Sequence, residues 1–204
     1  MRLTSLFAGA LVALLALPAL AQNQEGTPTR IRGKIESLSG DTLTVKSRDG
    51  ADVKLALTKD THIFGLVKAK LADIKKGDFI GSAAVPGKDG KLHAEEVVVF
   101  PEFARGMAEG HYPWDLKGGE ETMTNATVSE VTNVSKNRVM TVQYKGGEKE
   151  IAVAPGTPIV SFDKADKAVL KKGKVVFVPA LKKPDGSIVA LAVLAEQNGV
   201  KPPM

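Results

Sequence analysis

Residues 106–123, GMAEGHYPWDLKGGEETM, gather the chemically versatile side chains of a chain that has few of them. The segment holds the single tryptophan, one of two tyrosines, one of three histidines and two of five methionines. Met107, His111, Trp114 and Met123 offer two thioethers, one imidazole and an indole face. This donor set suits a soft monovalent cation, Cu(I) or Ag(I), with the tryptophan face over the metal. One imidazole without thiolates makes a poor zinc site. His111, Tyr112, Trp114 and Asp115 form a second grouping, an amphipathic aromatic platform for a sugar of a cell-wall polymer or for a partner protein of the envelope. A third expectation is structural. Large aromatics bury the most area in a short segment, so Tyr112-Pro113-Trp114 is expected to pack as an ordered spacer.

Elsewhere the chain lacks the parts of an active site. No G-x-S-x-G, H-E-x-x-H or phosphate-binding glycine loop occurs, and no nucleophile, base and orienting group can be assigned together. The stretch GKDGK at 87–91 lacks the Lys-Ser/Thr end of a phosphate loop and reads as a hairpin turn at Asp89-Gly90. Glu95-Glu96 and Glu120-Glu121 are sequence neighbours; on a strand, neighbours face opposite sides, so the first pair cannot share a substrate. His62 and His93 have no second ligand at metal spacing. The chain has no cysteine, which rules out disulfides, thiolate metal sites and thiol nucleophiles. The expectation is a non-enzymatic binding or accessory protein.

The N-terminus, MRLTSLFAGALVALLALPALA, places one arginine before an apolar run and ends on small residues. That is the pattern of a secretory signal peptide cleaved after Ala21. The run is short of the roughly 20 residues needed to span a bilayer, and no later segment approaches that length. The expected location is therefore the periplasm or the exterior, with no membrane span after cleavage. Removing residues 1–21 takes away one arginine and lowers the formal charge from +5 to +4. So mild a surplus favours anionic envelope partners over nucleic acid, and the lysines, scattered along nearly every strand and turn, read as solvated faces.

The remaining chain is written twice. DTHI (60–63) aligns with GTPI (156–159), KKGD (75–78) with KKGK (171–174), and GKDGKLHAEEVVVF (87–100) with KPDGSIVALAVLAE (183–196), all at an offset of 96. TLTV (42–45) matches VMTV (139–142) at 97. Each copy shows period-two alternation, β-branched residues and Asp-Gly turns, the signals of a β-meander. Each also has one short helical patch, LVKAKLADIKK or DKADKAVLKK, stopped at Gly77 or Gly173 as a helix C-cap would be. Short strands in this number favour a small closed barrel, because closure hides the edges. The expected fold is all-β, with two tandem OB-like barrels at 27–100 and 125–197. An ordered connector at 101–124 joins them, behind a leader at 1–21 and before a tail at 198–204.

The order RGKIESLSGDTLTVKSRDG, LADIKKGD, GKDGKLHAEEVVV resembles a family of exported bacterial β-barrel domains described only as a domain of unknown function. Gly33, Thr42–Val45, Asp73–Asp78 and Asp89–Ala94 carry the likeness; in the second copy Lys174 and Ile188 depart from it. These motifs mark turns and core positions, and the resemblance brings no catalytic residues. The EGHYPWDL segment is similar to one in uncharacterised proteobacterial proteins that sometimes carry a metal-transporter label; without a membrane span a permease role is excluded. In residue chemistry and barrel class, though not in alignable sequence, the Met/His/Trp grouping resembles the periplasmic copper and silver chaperones of efflux systems.

Overall fold

Alternating aliphatic and polar residues, interrupted by glycine turns, place most of the chain in β-strands. A computed structural model describes residues 26–116, 118–134 and 137–202; the expected leader at 1–21 lies outside them. The first copy contributes β1 (Thr27–Ser39), β2 (Thr42–Ser47), β3 (Asp52–Ala56), β4 (His62–Lys68), β5 (Phe79–Pro86) and β6 (Leu92–Val99). The connector contains β7 (Gly110–Pro113). The second copy contributes β8 (Thr122–Val134), β9 (Asn137–Tyr144), β10 (Gly147–Val153), β11 (Ile159–Lys164), β12 (Val175–Lys182), β13 (Ile188–Ala190) and β14 (Ala192–Ala195).

The expected helical patches shrink to single 3-10 turns at Leu71–Asp73 and Lys167–Val169. Their flanking residues are drawn into the ladder between β4 and β11 instead. Gly77 and Gly173 end both segments with positive φ, +94° and +82°, a conformation that costs glycine little.

Strand pairing closes across the two copies. β1, β2 and β3 form an antiparallel meander. β12 then runs antiparallel to β1, from Thr27 opposite Lys182 to Lys34 opposite Val175. β13 pairs with β12 and, in parallel, with β3 through Val189 and Ala56. The result is a closed five-stranded barrel, the first ring. A second circuit of pairings joins β8, β9 and β10 to β5 and β6. The expected units 27–100 and 125–197 therefore do not each close on themselves. Each ring takes three strands from one copy and two from the other.

The exchange is symmetric. β4 and β11 cross antiparallel between the rings, with Leu66 opposite Phe162, Gly65 opposite Asp163 and Val67 opposite Ser161. Leu66 and Phe162 stand at the repeat offset of 96, so an internal two-fold axis passes through this pair.

Three apolar cores follow. Ile35, Leu43, Val45 and Leu55 of the first copy meet Val176, Val178 and Val193 of the second inside the first ring. Ile80 and Val97 meet Val128, Met140 and Ile151 inside the second. Leu170 and Ile74, one repeat apart and each beside a 3-10 turn, join these two cores. The third core lies at the crossing and contains Phe64, Leu66, Phe162, Phe177, Leu194 and the connector's Trp114.

Candidate functional site

The connector is held to both rings. β7 adds to β8 as an outer strand, with His111 opposite Thr124 and Tyr112 opposite Met123. Directly after β7, the Trp114 N–H donates to the Glu121 carbonyl at 2.8 Å. The Trp114 side chain is only 8 % exposed. It meets Phe177 of β12 edge-on at 5.9 Å and Tyr112 at 6.2 Å between centroids.

Two arginines of β1 cover the indole. The Arg30 guanidinium lies 4.2 Å and that of Arg32 5.2 Å from the ring centroid, and Arg32 also faces Phe177 at 5.0 Å. Cation–π contacts of this kind contribute about 0.5–2 kcal/mol, more as water is excluded. Asp115 Oδ1 accepts from Arg32 Nη2 at 3.0 Å and from Arg30 Nη1 at 3.4 Å. Burial acts to raise the Asp115 carboxyl, but the hydrogen bond and charge of Arg32, with the charge of Arg30, hold it below the usual carboxylate value. Trp114 and Asp115 thus fasten the connector to the first ring, while β7 fastens it to the second.

Between these attachments lies a cavity of about 490 Å³. Phe64 and Phe162 line it at the crossing, Phe177 and Trp114 on one side, Phe100 and Tyr112 on the other. The chain has ten aromatic side chains of the Phe, Trp and Tyr types, so more than half of them converge on this one space. The thioethers of Met107 and Met123 complete the connector side. Polar groups are few: Arg30, His62 and Asn125. Asn125 Nδ2 donates to the Met107 and Ala108 carbonyls at 3.3 and 3.1 Å and to the Tyr112 hydroxyl at 3.2 Å. Its buried Oδ1 has no partner.

The internal symmetry is broken at the cavity, which Gly81 and Phe177 both line. Gly81 and Phe177 occupy the same repeat position at the offset of 96. On one side of the seam the phenyl group fills the space under Trp114. On the other, even a Cβ at Gly81 would come within 2.5 Å of Asn125 Oδ1 and 3.0 Å of the Phe100 side chain. Glycine lets the Asn125 amide and the Phe100 ring close against the backbone there.

The residues expected to bind metal are separated by strand alternation. Met107, Trp114 and Met123 line the cavity. His111, one position from Tyr112, points to the opposite face of β7, where its Nδ1 is 2.8 Å from Thr124 Oγ1 and its ring stacks on Tyr144 at 6.1 Å. Burial, aided by the Lys149 charge, lowers its pKa. The Cu(I)/Ag(I) set Met107, His111, Trp114 and Met123 therefore does not converge. Among the described residues no group of three or more His, Cys, Asp or Glu side chains could hold a metal. Nor do His111, Tyr112, Trp114 and Asp115 form one platform: Tyr112 faces the cavity, His111 faces away, Arg30 covers Trp114, and Asp115 is committed to β1.

Sequence reasoning missed Arg30, Arg32, Gly81, Asn125 and Phe177. The Gly81/Phe177 mismatch within aligned copies was the available signal. It also missed Glu96, which is 1 % exposed with no hydrogen-bond partner for either carboxyl oxygen. Burial pushes its pKa up to about 8, against the charges of Arg32 and Arg48 and with a smaller push from Glu95.

Comparison of the chain with protein-family models, curated protein sequences and solved structures gave no match. No helix among the described residues is long and apolar enough to cross a membrane.

Proposed function

We propose that this protein is a non-enzymatic binding protein that holds a small apolar ligand in the cavity between its two strand rings, with the connector as one wall. The observation that carries this is the cavity itself. Its volume of about 490 Å³ falls within the range of small-molecule sites, which are mostly apolar with a few placed polar groups. Its lining includes no carboxylate and six aromatic side chains. The 96-residue repeat and the two circuits of strands support reading the chain as a duplicated OB-type barrel whose copies have exchanged strands. With the expected leader removed, the ligand would be met in the periplasm or outside the cell.

This reading replaces the sugar platform and the soft-metal site as the use of the aromatic connector. Trp114 acts as a wall of the cavity, and Met107 and Met123 act as adaptable apolar contacts. Mature protein titrated with N-phenylnaphthylamine, a dye that brightens in apolar surroundings, should show saturable enhancement. Ala192→Leu adds bulk to the lining and should reduce the enhancement while the protein still melts cooperatively. A dye that stays dark with the unaltered protein would sink the proposal.

A further inference from the structure

The polar groups of the cavity are distributed unevenly. Arg30 is the one permanently charged side chain in the lining. It stands opposite Pro179 in the β1–β12 ladder. The Pro179 carbonyl accepts from Leu191 N–H at 2.9 Å, and the Leu191 carbonyl accepts from His62 N–H at 3.1 Å. Arg30, Pro179, Leu191 and His62 thus follow one another along one edge of the cavity. Leu191 at 37 % and Met107 at 39 % are two of the three large hydrophobic side chains exposed among the described residues. The third, Phe103 at 49 %, stacks 6.0 Å from Phe64. All three border the cavity or its lining, so the opening has an apolar rim beside a cation.

The cation is in surplus. Asp115 Oδ1 receives both arginines, but the bond from buried Arg32 is the shorter, 3.0 against 3.4 Å. Arg32 can therefore satisfy Asp115 without Arg30. Arg30 stays one-third exposed, and its bond to Asp115 engages one guanidinium nitrogen, Nη1. Stacking on Trp114 at 4.2 Å fixes the plane of the guanidinium and leaves its edge free. A planar guanidinium edge binds a carboxylate through two parallel hydrogen bonds. Arg30, Arg32 and Asp115 together carry one positive charge more than they neutralise.

We infer that the ligand is a single-chain carboxylate amphiphile, with its acid group on Arg30 at the opening and its hydrocarbon body among the aromatic side chains of the cavity. The inference rests on the cavity-binding proposal and adds the ligand class. A single anionic head matches the single surplus charge. A flexible chain matches a lining of aromatic faces and two thioethers, with Asn125 Oδ1 as the one unpaired acceptor deep in the wall.

Three probes with the same chain and different heads test it on the full mature protein: dodecanoate, dodecan-1-ol and dodecyltrimethylammonium, each displacing N-phenylnaphthylamine. Dodecanoate should bind about tenfold or more tightly than the alcohol, the factor expected of a charge-assisted hydrogen bond, and the cationic probe should bind weakest. Arg30→Gln should abolish the preference for the acid, so that dodecanoate and the alcohol bind alike. Equal affinity for acid and alcohol in the unaltered protein would overturn the carboxylate assignment while leaving the cavity proposal standing. Failure of all three probes and of the dye would overturn both. Dodecanoate bound by Arg30→Gln as tightly as by the unaltered protein would remove Arg30 as the contact. If that variant misfolds, the comparison of heads on the unaltered protein still decides the assignment.

Discussion

Glu96→Gln isolates a cost built into the fold. The Glu96 carboxyl is buried, its oxygens have no hydrogen-bond partner, and its pKa rises from the ordinary 4.5 to about 8. Below pH 4.5 folded and unfolded chains both hold this proton, and ionisation contributes nothing. Between 4.5 and about 8 the unfolded chain releases the proton and the fold retains it. Stability then falls by about 1.36 kcal/mol for each pH unit. Above about 8 both states are ionised and the loss is constant, about 5 kcal/mol.

His111 acts in the opposite sense. Its lowered pKa in the fold makes stability rise as pH climbs through the ordinary histidine range. The informative quantity is therefore the difference between the unaltered protein and Glu96→Gln, in which the His111 contribution cancels. Urea unfolding followed by Trp114 fluorescence at pH 5, 6, 7, 8 and 9 should show the variant gaining on the unaltered protein steadily to pH 8 and then levelling off. The glutamine amide adds an offset for its own unpaired donors, but that offset does not vary with pH. A difference that stays flat from pH 5 to 9 would show that Glu96 is ionised in the fold and paired with Arg32 or Arg48, refuting the reasoning.

Two further outcomes follow from the ladders. Gly33→Ala would place a Cβ 2.0 Å from the Lys46 carbonyl oxygen, inside the β1–β2 pairing, so the strands must part; urea unfolding should show a loss of about 3 kcal/mol or more. Residues 22–116 and 117–204 expressed apart should each fail to melt cooperatively by circular dichroism, and mixing them should restore a single transition and a one-to-one complex; a half that melts cooperatively alone would show that a ring can close without exchange.

The features legible in the sequence were the local ones. Alternation in IRGKIESL and RVMTVQY, and the turns at Asp89-Gly90 and Asp185-Gly186, depend on residues a few positions apart, and the strands follow them. The partner of β1 was not legible. FIGSAAVP and VVFVPALK are copies at the same repeat position, so pattern alone cannot choose between β5 and β12. Arg30 and Arg32 flank Ile31, and nothing near them in the sequence marks their use, because the indole they cover lies far along the chain. The glycines and prolines around His111 and Tyr112 interrupt the alternation from which a strand is read. Once Gly110–Pro113 is a strand, adjacency alone sends the His111 and Tyr112 side chains to opposite faces.

The exchanged strands also set a timetable. Pairings between distant residues are slow to form, since loop closure must precede them. Thr27 finds its neighbour in Lys182, and Ala56 in Val189, so β1 and β3 keep open edges until nearly the whole chain is available. A chain threaded across a membrane from its N-terminus would deliver those edges first and their partners last. Unpaired edges recruit other strands, and in a crowded compartment the nearest β12 can belong to another molecule. The same architecture that seals the finished protein thus makes its maturation a contest between waiting and mispairing, in which a holdase that shields β1–β3 would raise the yield without contributing to the final stability.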